Sequence, residues 1–186
     1  MNYFNDVLSP IELPMLKEFH EAVGCGFLDA VMPAVSSLCK WGILWLVLTA
    51  VMLSIKKTRK CGVTVALALF IGLVVCNLTM KPLCARIRPY ELDPTIVTLL
   101  AKETDFSFPS GHTIASFGAA VGIMMHSRRW GIPALILAVL IGFSRIYLMM
   151  HFFTDVIVSA VLGTVIGILS CYIGKIIIEK TKMPCD

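Results

Sequence analysis

The segment Ser144 to Asp155, with the sequence SRIYLMMHFFTD, contains the side chains best suited to chemistry in this chain. His151 and Asp155 are four residues apart, a spacing that places two side chains on one face of a helix. A carboxylate that hydrogen-bonds one imidazole nitrogen fixes the tautomer and leaves the other nitrogen free as a base or nucleophile. Together with Arg145, the pair predicts either a reactive site or a polar cluster whose members only satisfy one another.

A pair of bases ends an apolar stretch earlier in the chain. In KPLCARIRP, Lys81 and Arg88 are seven residues apart, so a helix would carry them on one side, two turns apart. Pro89 would then stop that helix, because proline cannot continue it. The segment predicts two cations that point the same way; bases whose side chains reach from the membrane interface to water are the alternative.

The segment Phe108 to His112, with the sequence FPSGH, has the features of a helix start that binds an anion. Ser110 is a favoured N-cap residue, and Gly111 lets the backbone approach a bound group. The free amides and the positive end of a helix attract negative charge. Because such starts are common, an ordinary helix N-terminus with an incidental histidine is the alternative.

Taken together, these residues match the requirements of phosphoryl transfer without a metal. Cationic side chains neutralise the equatorial phosphoryl oxygens, one imidazole attacks in line, and a second protonates the leaving oxygen. The neighbouring acidic residues lack the spacing of magnesium ligands, and we interpret them as solvated loop charges: Glu91, Asp93, Glu103 and Asp105. We therefore expect neither a metal nor a cofactor.

The elements that position these clusters are expected to be membrane helices. The 186-residue chain is 58% hydrophobic and 15% charged, more apolar than a soluble domain of this size requires. Gly62 to Met80 and Val156 to Gly174 each run 19 residues without an ionisable side chain, close to the roughly 20 that cross a bilayer core. No long basic run is interleaved with aromatic residues, so we do not expect nucleic acid as a partner.

Hydropathy predicts an all-α transmembrane helical bundle of five spans, with six as the alternative. The spans cover approximately Ser37 to Ile55, Gly62 to Met80, Pro109 to Met125, Trp130 to Met149 and Asp155 to Ile178. We expect a single domain over residues 1–186, in which 37–178 form the bundle and 1–36 form an interfacial segment with an amphipathic helix. A second short helix at Phe27 to Leu38, interrupted by Pro33, is too short to cross the bilayer alone.

The distribution of Lys and Arg predicts which side the three clusters face. With five spans, the 56–60 and 127–129 links share one side with the C-terminal tail, which includes Lys182 and Asp186. That side carries nine bases against two acids. By the positive-inside rule it is cytoplasmic, so the N-terminus, the Lys81 to Phe108 connection and all three clusters face outward.

The clusters resemble the three-part signature of the type 2 phosphatidic acid phosphatase (PAP2) superfamily. Lys81 to Pro89 reads K-x6-R-P, Pro109 to His112 reads P-S-G-H, and Ser144 to Asp155 reads S-R-x5-H-x3-D. The resemblance extends from Lys81 to Asp155, and the flanking spans agree with it in placement. Many membrane members have six spans, and this chain is expected to lack the first.

The resemblance implies a role for each residue of the signature. His151 would be the nucleophile that forms a phosphohistidine, Asp155 its orienting partner, and His112 the general acid that later activates water. The phosphoryl oxygens would be bound by Lys81, Arg88, Ser110, the Gly111 amide and Arg145. Arg86 lies outside the signature, and we interpret it as a helper for a second phosphate.

The leading hypothesis is a metal-independent lipid phosphatase of the bacterial plasma membrane, whose partners are the bilayer and a lipid phosphate. Undecaprenyl diphosphate is favoured over phosphatidylglycerophosphate and phosphatidic acid, because of the compact chain, the outward site and the precedent of the family.

A vanadate-dependent haloperoxidase is a second hypothesis, because that group resembles the same motifs, but those enzymes are soluble. A non-enzymatic transporter or channel is disfavoured because the charges lie on one face and the span centres are apolar. The oligomeric state stays open.

Overall fold

The computed structural model describes residues 2–181, and every regular element in that range is a helix. The α-helices are α1 (Ser9–Val23), α2 (Gly26–Leu38), α3 (Ile43–Ser54), α4 (Arg59–Leu73), α5 (Lys81–Cys84), α6 (Pro89–Leu92), α7 (Gly111–His126), α8 (Arg128–Tyr147) and α9 (Phe153–Thr181). A π-helix, Phe4–Leu8, precedes α1, and another, Val74–Met80, joins α4 to α5. Short 3-10 turns at Lys40–Gly42 and Lys56–Thr58 lead into α3 and α4. The predicted all-α fold is confirmed.

Helix α7 lies at the centre of the bundle, where it packs against α4, α8 and α9. Its approach to α9 depends on glycine: a Cβ at Gly163 would lie 2.8 Å from the Ile114 carbonyl oxygen, and one at Gly167 would lie 2.7 Å from that of Gly118. Small residues allow such contact between membrane helices, whose association depends on close packing. Because α7 begins at the FPSGH segment and α9 follows His151, this packing sets the distance between the two histidine clusters.

Within residues 2–181, three helical stretches are long and apolar enough to cross a membrane: Lys56–Leu92, Arg128–Tyr147 and Phe153–Lys180. They coincide with the second, fourth and fifth predicted spans and indicate an integral membrane protein. The first predicted span begins at the end of α2, crosses the 3-10 turn and contains α3, whereas the third coincides with α7. With 12 and 16 residues, α3 and α7 are shorter than a full crossing. The count of five spans therefore stays a prediction.

The N-terminal segment forms two helices that meet at a sharp bend. Phe4–Val23 and Gly26–Leu38 are bent by 120°, the geometry of a broken span or a re-entrant loop. The predicted amphipathic helix is present as α1, but its Glu12 is buried and not at the surface. Lys182 and Asp186, two of the charged residues behind the predicted orientation, lie outside the described residues.

The segment that carries Lys81 and Arg88 folds differently from the prediction. Helix α5 ends at Cys84, and Ala85 adopts a left-handed backbone with a φ of 44°. Pro89 begins α6, because proline is tolerated at the first position of a helix, where its missing N–H has no partner to lose. The two bases therefore do not share a helix face, and they converge only through a common carboxylate.

Candidate active site

Three of the predicted phosphate-binding cations converge on two carboxylates of the α6–α7 connection (residues 93–110). Asp105 bridges the first two, because its carboxylate pairs with Lys81 and lies 2.5 Å from Arg88 Nη2. Glu103 bridges the two arginines, with oxygens 2.6 Å from Arg88 Nη2 and 2.6 Å from Arg145 Nη2. The five side chains form one continuous ionic network.

The cations of this network are buried, whereas its carboxylates are partly exposed. The side chains of Arg88 and Arg145 are 0% and 1% exposed, against 29% for Glu103 and 48% for Asp105. A buried positive charge requires a partner, because an unpaired charge at low dielectric is costly. The two acids therefore cover a cationic pocket from its solvent side, and the interpretation of them as solvated loop charges is wrong.

The cations keep both carboxylates ionised. Burial raises the pKa of Glu103, but the charges of Arg145 and Arg88 outweigh it and hold the pKa at about 2. Burial also raises the pKa of Asp105, and the hydrogen bond from Lys81 together with the neighbouring charges brings it below the ordinary value of 3.8. Both acids are negative at neutral pH, so the pocket already holds anionic oxygens of the kind that a phosphoryl group presents.

The donor set of this pocket suits an anion better than a metal ion. Within residues 2–181, no three His, Cys, Asp or Glu side chains are arranged to hold a metal. The carboxylates of the pocket, Glu103 and Asp105, are bound by three cations. A divalent ion placed between them would meet those positive charges at close range, which Coulomb repulsion disfavours.

His151 lies in the link between α8 and α9, between the cationic pocket and a second buried network. Its Nδ1 is 2.7 Å from the Ser107 carbonyl oxygen, which can only accept a hydrogen bond. We therefore assign the proton to Nδ1 and the free lone pair to Nε2. Nε2 is 3.4 Å from Arg88 Nη1, so the free nitrogen faces the cationic pocket.

The surroundings of His151 keep its ring neutral. Burial lowers the pKa of His151 well below the ordinary value of 6.5, and the charges of Arg88 and Arg145 lower it further. Desolvation and like charges both disfavour an imidazolium ion. At physiological pH the ring is therefore in the state that can attack an electrophile.

Asp155 does not hydrogen-bond His151 as the spacing predicted. Its Oδ2 is 3.7 Å from His151 Nδ1, beyond hydrogen-bond range, and accepts instead from Ser107 Oγ at 2.6 Å and from the Phe152 amide at 2.9 Å. The helical spacing fails because α9 begins only at Phe153, so His151 precedes the helix. The carboxylate is connected to the imidazole through Ser107, which lies outside the sequence motifs and was not predicted.

A second ion-pair network lies behind Asp155. Arg86 Nη1 is 2.6 Å from Asp155 Oδ1, and Arg86 Nη2 is 2.5 Å from Glu12 Oε2 of α1. Glu12 also accepts from the amide and hydroxyl of Thr154, at 2.9 and 2.7 Å. The Arg86 guanidinium stacks 3.9 Å from the centre of the Phe152 ring and is 0% exposed. Both carboxylates that bind Arg86 are themselves buried, unlike the partly exposed partners of Arg88, so a phosphate could not displace them. The interpretation of Arg86 as a helper for a second phosphate is therefore wrong.

The start of α7 has the predicted N-cap. Ser110 Oγ accepts from the amide and the hydroxyl of Thr113, at 3.4 and 3.0 Å, and the Ser110 amide donates into α9. Gly111 and His112 follow in the first turn, both half-buried. The His112 imidazole lies within electrostatic range of Glu103, Arg145 and Lys81, near the cationic pocket. The assignments of His112 as acid and of Ser110 and Gly111 as phosphate ligands stay predictions.

Comparisons with known proteins connect this arrangement to one family. The family model described as "PAP2 superfamily" matches residues 57–177. An undecaprenyl-diphosphatase of Sulfolobus acidocaldarius is 36% identical over 139 residues, which are 73% of this chain and 67% of that relative. The undecaprenyl-diphosphatase BcrC of Bacillus subtilis is 32% identical over 114 residues, which are 61% of this chain and 56% of that relative.

A solved structure shares the fold. The crystal structure of a transmembrane PAP2 type phosphatidylglycerolphosphate phosphatase from Bacillus subtilis superimposes with a TM-score of 0.72 at 24% identity, covering 93% of this chain and 89% of the other. The family match contains all three sequence clusters but begins after α1. Glu12 therefore joins the second network from outside the matched region.

Proposed function

The chain belongs to the PAP2 superfamily, and on this basis we propose that it is a metal-independent phosphatase of a membrane lipid phosphate or diphosphate. The names of its relatives support a hydrolase of phosphoric ester or anhydride bonds. The observation that carries the proposal is the convergence of three buried cations on anionic oxygens beside His151 Nε2. A phosphate group would present its own oxygens to the same cations.

In the proposed reaction, one histidine is the nucleophile and the other is the general acid and base. His151 Nε2 donates its lone pair to phosphorus while the bond from phosphorus to the leaving oxygen breaks in line, and His112 gives its proton to that oxygen. Water then attacks the phosphorus of the phosphohistidine and His112 takes a proton from the water, while the bond from phosphorus to Nε2 breaks and inorganic phosphate leaves. The cations neutralise charge on the equatorial oxygens, and Ser110 and the Gly111 amide add donors at the helix start.

In this scheme, the substrate phosphate displaces the carboxylates of Glu103 and Asp105 from the cations. Both acids lie on the α6–α7 connection and are partly exposed, so water can solvate them when a phosphate enters. Arg145 offers a further donor, because its Nε is buried and no described residue accepts a hydrogen bond from it. Between turnovers the two carboxylates neutralise cations that would be costly to bury unpaired.

We favour undecaprenyl diphosphate as the substrate, with phosphatidylglycerophosphate and phosphatidic acid as alternatives. Two relatives carry the name of that diphosphatase activity. Leu78 and Leu83, on either side of Lys81, are 69% and 78% exposed and offer an apolar surface to a lipid tail. The tail would stay in the bilayer while the head group enters the cationic pocket.

Release of inorganic phosphate by the purified protein in detergent with EDTA tests the proposal. The panel consists of undecaprenyl diphosphate, phosphatidylglycerophosphate, phosphatidic acid and sphingosine phosphate. We expect turnover in EDTA, fastest with the diphosphate, and inhibition by vanadate, which mimics five-coordinate phosphorus. Loss of activity in EDTA with recovery on magnesium would contradict the proposal, and a faster monoester would change the preferred substrate.

We further propose that the site faces outward from a bacterial plasma membrane, as the distribution of bases predicts. Variants that keep only Cys84 or only Cys61, both half-buried, are treated with a membrane-impermeant maleimide in sealed cells. We expect Cys84 to react and Cys61 to react only after the membrane is opened. Thr95→Cys, at an exposed position of the α6–α7 connection, controls for burial. Labelling of Cys61 without labelling of Thr95→Cys would invert the topology.

A further inference from the structure

We infer that Ser107 is a positioning residue that holds His151 in its reactive tautomer, and that Asp155 acts on the imidazole through Ser107. The inference rests on the proposed function for the role of His151 as nucleophile. Ser107 is 0% exposed and lies just before the FPSGH segment, outside the sequence signature. Its three polar groups bond three different partners.

Hydrogen bonds fix Ser107 from both sides. Its amide donates to the Arg86 carbonyl oxygen at 2.8 Å, and its hydroxyl donates to Asp155 Oδ2 at 2.6 Å. These two anchors set the position of its carbonyl oxygen, which accepts from His151 Nδ1 at 2.7 Å. A carbonyl cannot donate, so it selects the ring form with the proton on Nδ1 and the lone pair on Nε2.

Asp155, Ser107 and Arg86 form a closed ring of hydrogen bonds behind the imidazole. The Arg86 side chain binds Asp155 Oδ1, Asp155 Oδ2 accepts from Ser107, and the Ser107 amide returns to the Arg86 backbone. The distance from Asp155 Oδ2 to His151 Nδ1 is 3.7 Å, a full ångström longer than the bond from His151 to the Ser107 carbonyl. The influence of the carboxylate on the ring therefore passes through the placement of Ser107.

The ring tautomer can be measured directly. The full chain is labelled with 15N-histidine in detergent micelles, and the His151 signals are assigned by their loss in His151→Gln. We expect a single form with the proton on Nδ1 in the wild type and a mixture of tautomers in Ser107→Ala. The matched control is Ser116→Ala, which removes a buried α7 hydroxyl that accepts from Trp45 Nε1 at 3.0 Å. The control should leave the His151 signals unchanged.

Kinetics on the best substrate of the panel give a second readout. Ser107→Ala should lower kcat roughly 10- to 100-fold, the scale expected when a reacting group is misplaced, with KM changed less than about twofold. If Ser107→Ala fails to fold, Ser107→Cys keeps a weaker donor at the same position and should show a smaller loss of kcat and a partly mixed tautomer.

A double-mutant cycle separates the indirect role of Asp155 from a direct one. If Asp155 acts through Ser107, Asp155→Asn should cost much less in a Ser107→Ala background than in the wild type. The inference would be overturned if the losses of kcat in Asp155→Asn and Ser107→Ala simply multiply in the double variant. An unchanged tautomer in Ser107→Ala would also overturn it. The tautomer measurement uses no substrate, so a wild type without phosphatase activity would overturn the proposed function and leave the role of Ser107 to be decided by the spectra.

Discussion

Two arginine–carboxylate networks meet at His151, and they differ in their access to water. The exchangeable network consists of Lys81, Arg88, Glu103, Asp105 and Arg145. The sealed network consists of Glu12, Arg86, Ser107 and Asp155. Carboxylates of the first are 29% and 48% exposed, whereas those of the second are 8% and 0% exposed. Water can solvate an exposed carboxylate that leaves its cation, but it cannot reach a buried one. Of the two networks, only the first therefore allows a substrate phosphate to displace its carboxylates.

The two ring nitrogens of His151 face different networks and have different proposed tasks. Nε2 of His151 faces the exchangeable network, where a phosphoryl group would arrive, and Nδ1 faces the sealed network, which holds the ring. In the proposed mechanism, similar ion pairs thus bind the substrate on one side of the ring and position the ring on the other. Substitutions in the two networks should therefore change different quantities.

The largest effect is expected where the networks meet. His151→Ala and His112→Ala should each abolish turnover and leave the fold intact. A phosphoenzyme from labelled lipid should accumulate only in His112→Ala, because that variant keeps the nucleophile; the reverse pattern would exchange the two assignments. His126→Ala is the matched control, since its ring bonds Thr64 in the bundle, away from both networks, and it should keep wild-type turnover.

Breaking the sealed network should chiefly affect stability. Arg86→Ala leaves Glu12 and Asp155 buried without their cation, and loss of one partner of a buried pair costs about 3–5 kcal/mol. The measurement is the free energy of unfolding in mixed micelles. A variant as stable as the wild type would show that water reaches these carboxylates and that the network is not sealed.

Breaking the exchangeable network should chiefly affect catalysis. Arg88→Ala or Arg145→Ala should lower kcat roughly 100-fold or more, by analogy with the removal of one preorganised donor that stabilises transition-state charge. Because the acids left behind are partly exposed, we expect a smaller loss of stability than in Arg86→Ala. Both statements are checked by measuring steady-state kinetics and the free energy of unfolding on the same preparations. A loss of stability larger than that of Arg86→Ala would contradict the proposed difference between the networks.

The two networks were not equally visible in the sequence. The cations of the exchangeable network stand at the ends of apolar stretches, where a charge is conspicuous, and Lys81, Arg88 and Arg145 were all predicted. The sealed network pairs Arg86 with Glu12, 74 residues earlier, and no local pattern encodes a contact of that range. What separates Arg86 from Arg88 is the burial of its carboxylate partners, and the burial of Glu12 depends on how α1 folds over the site.

Local rules also failed where a helix boundary was misplaced. The spacing of His151 and Asp155 predicted a direct bond, but α9 starts between them, so helical geometry does not apply. Pro89 begins a helix that it was expected to end. The predicted spans after the first, by contrast, coincide with helical segments, because long apolar segments signal their type more strongly than their ends.

Glu103 should contribute stability that depends on pH. Its pKa is about 2 in the folded protein, below the ordinary value of 4.5 expected when unfolded. A carboxyl group whose pKa is lower in the folded state than in the unfolded state stabilises the fold. That stabilisation is complete above the unfolded-state pKa and is lost as the pH falls through the folded-state pKa. Glu103→Gln should therefore lose less stability than the wild type between pH 4.5 and about 2. Identical acid unfolding curves would mean that Glu103 is not held by the two arginines in solution.

The smallest expected effect is on substrate affinity, and it tests whether a phosphate displaces Glu103 from the arginines. If Glu103 must leave Arg88 and Arg145 before a phosphate enters, Glu103→Gln should lower KM and the inhibition constant of vanadate roughly 1.4- to fivefold, since a partly exposed ion pair contributes about 0.2–1 kcal/mol. Asp93→Asn is the matched control, because this acid lies on the same connection but pairs with Lys17. A rise in KM for Glu103→Gln would mean that the carboxylate orders the arginines for the substrate, and the network would then be a fixed scaffold like the sealed one.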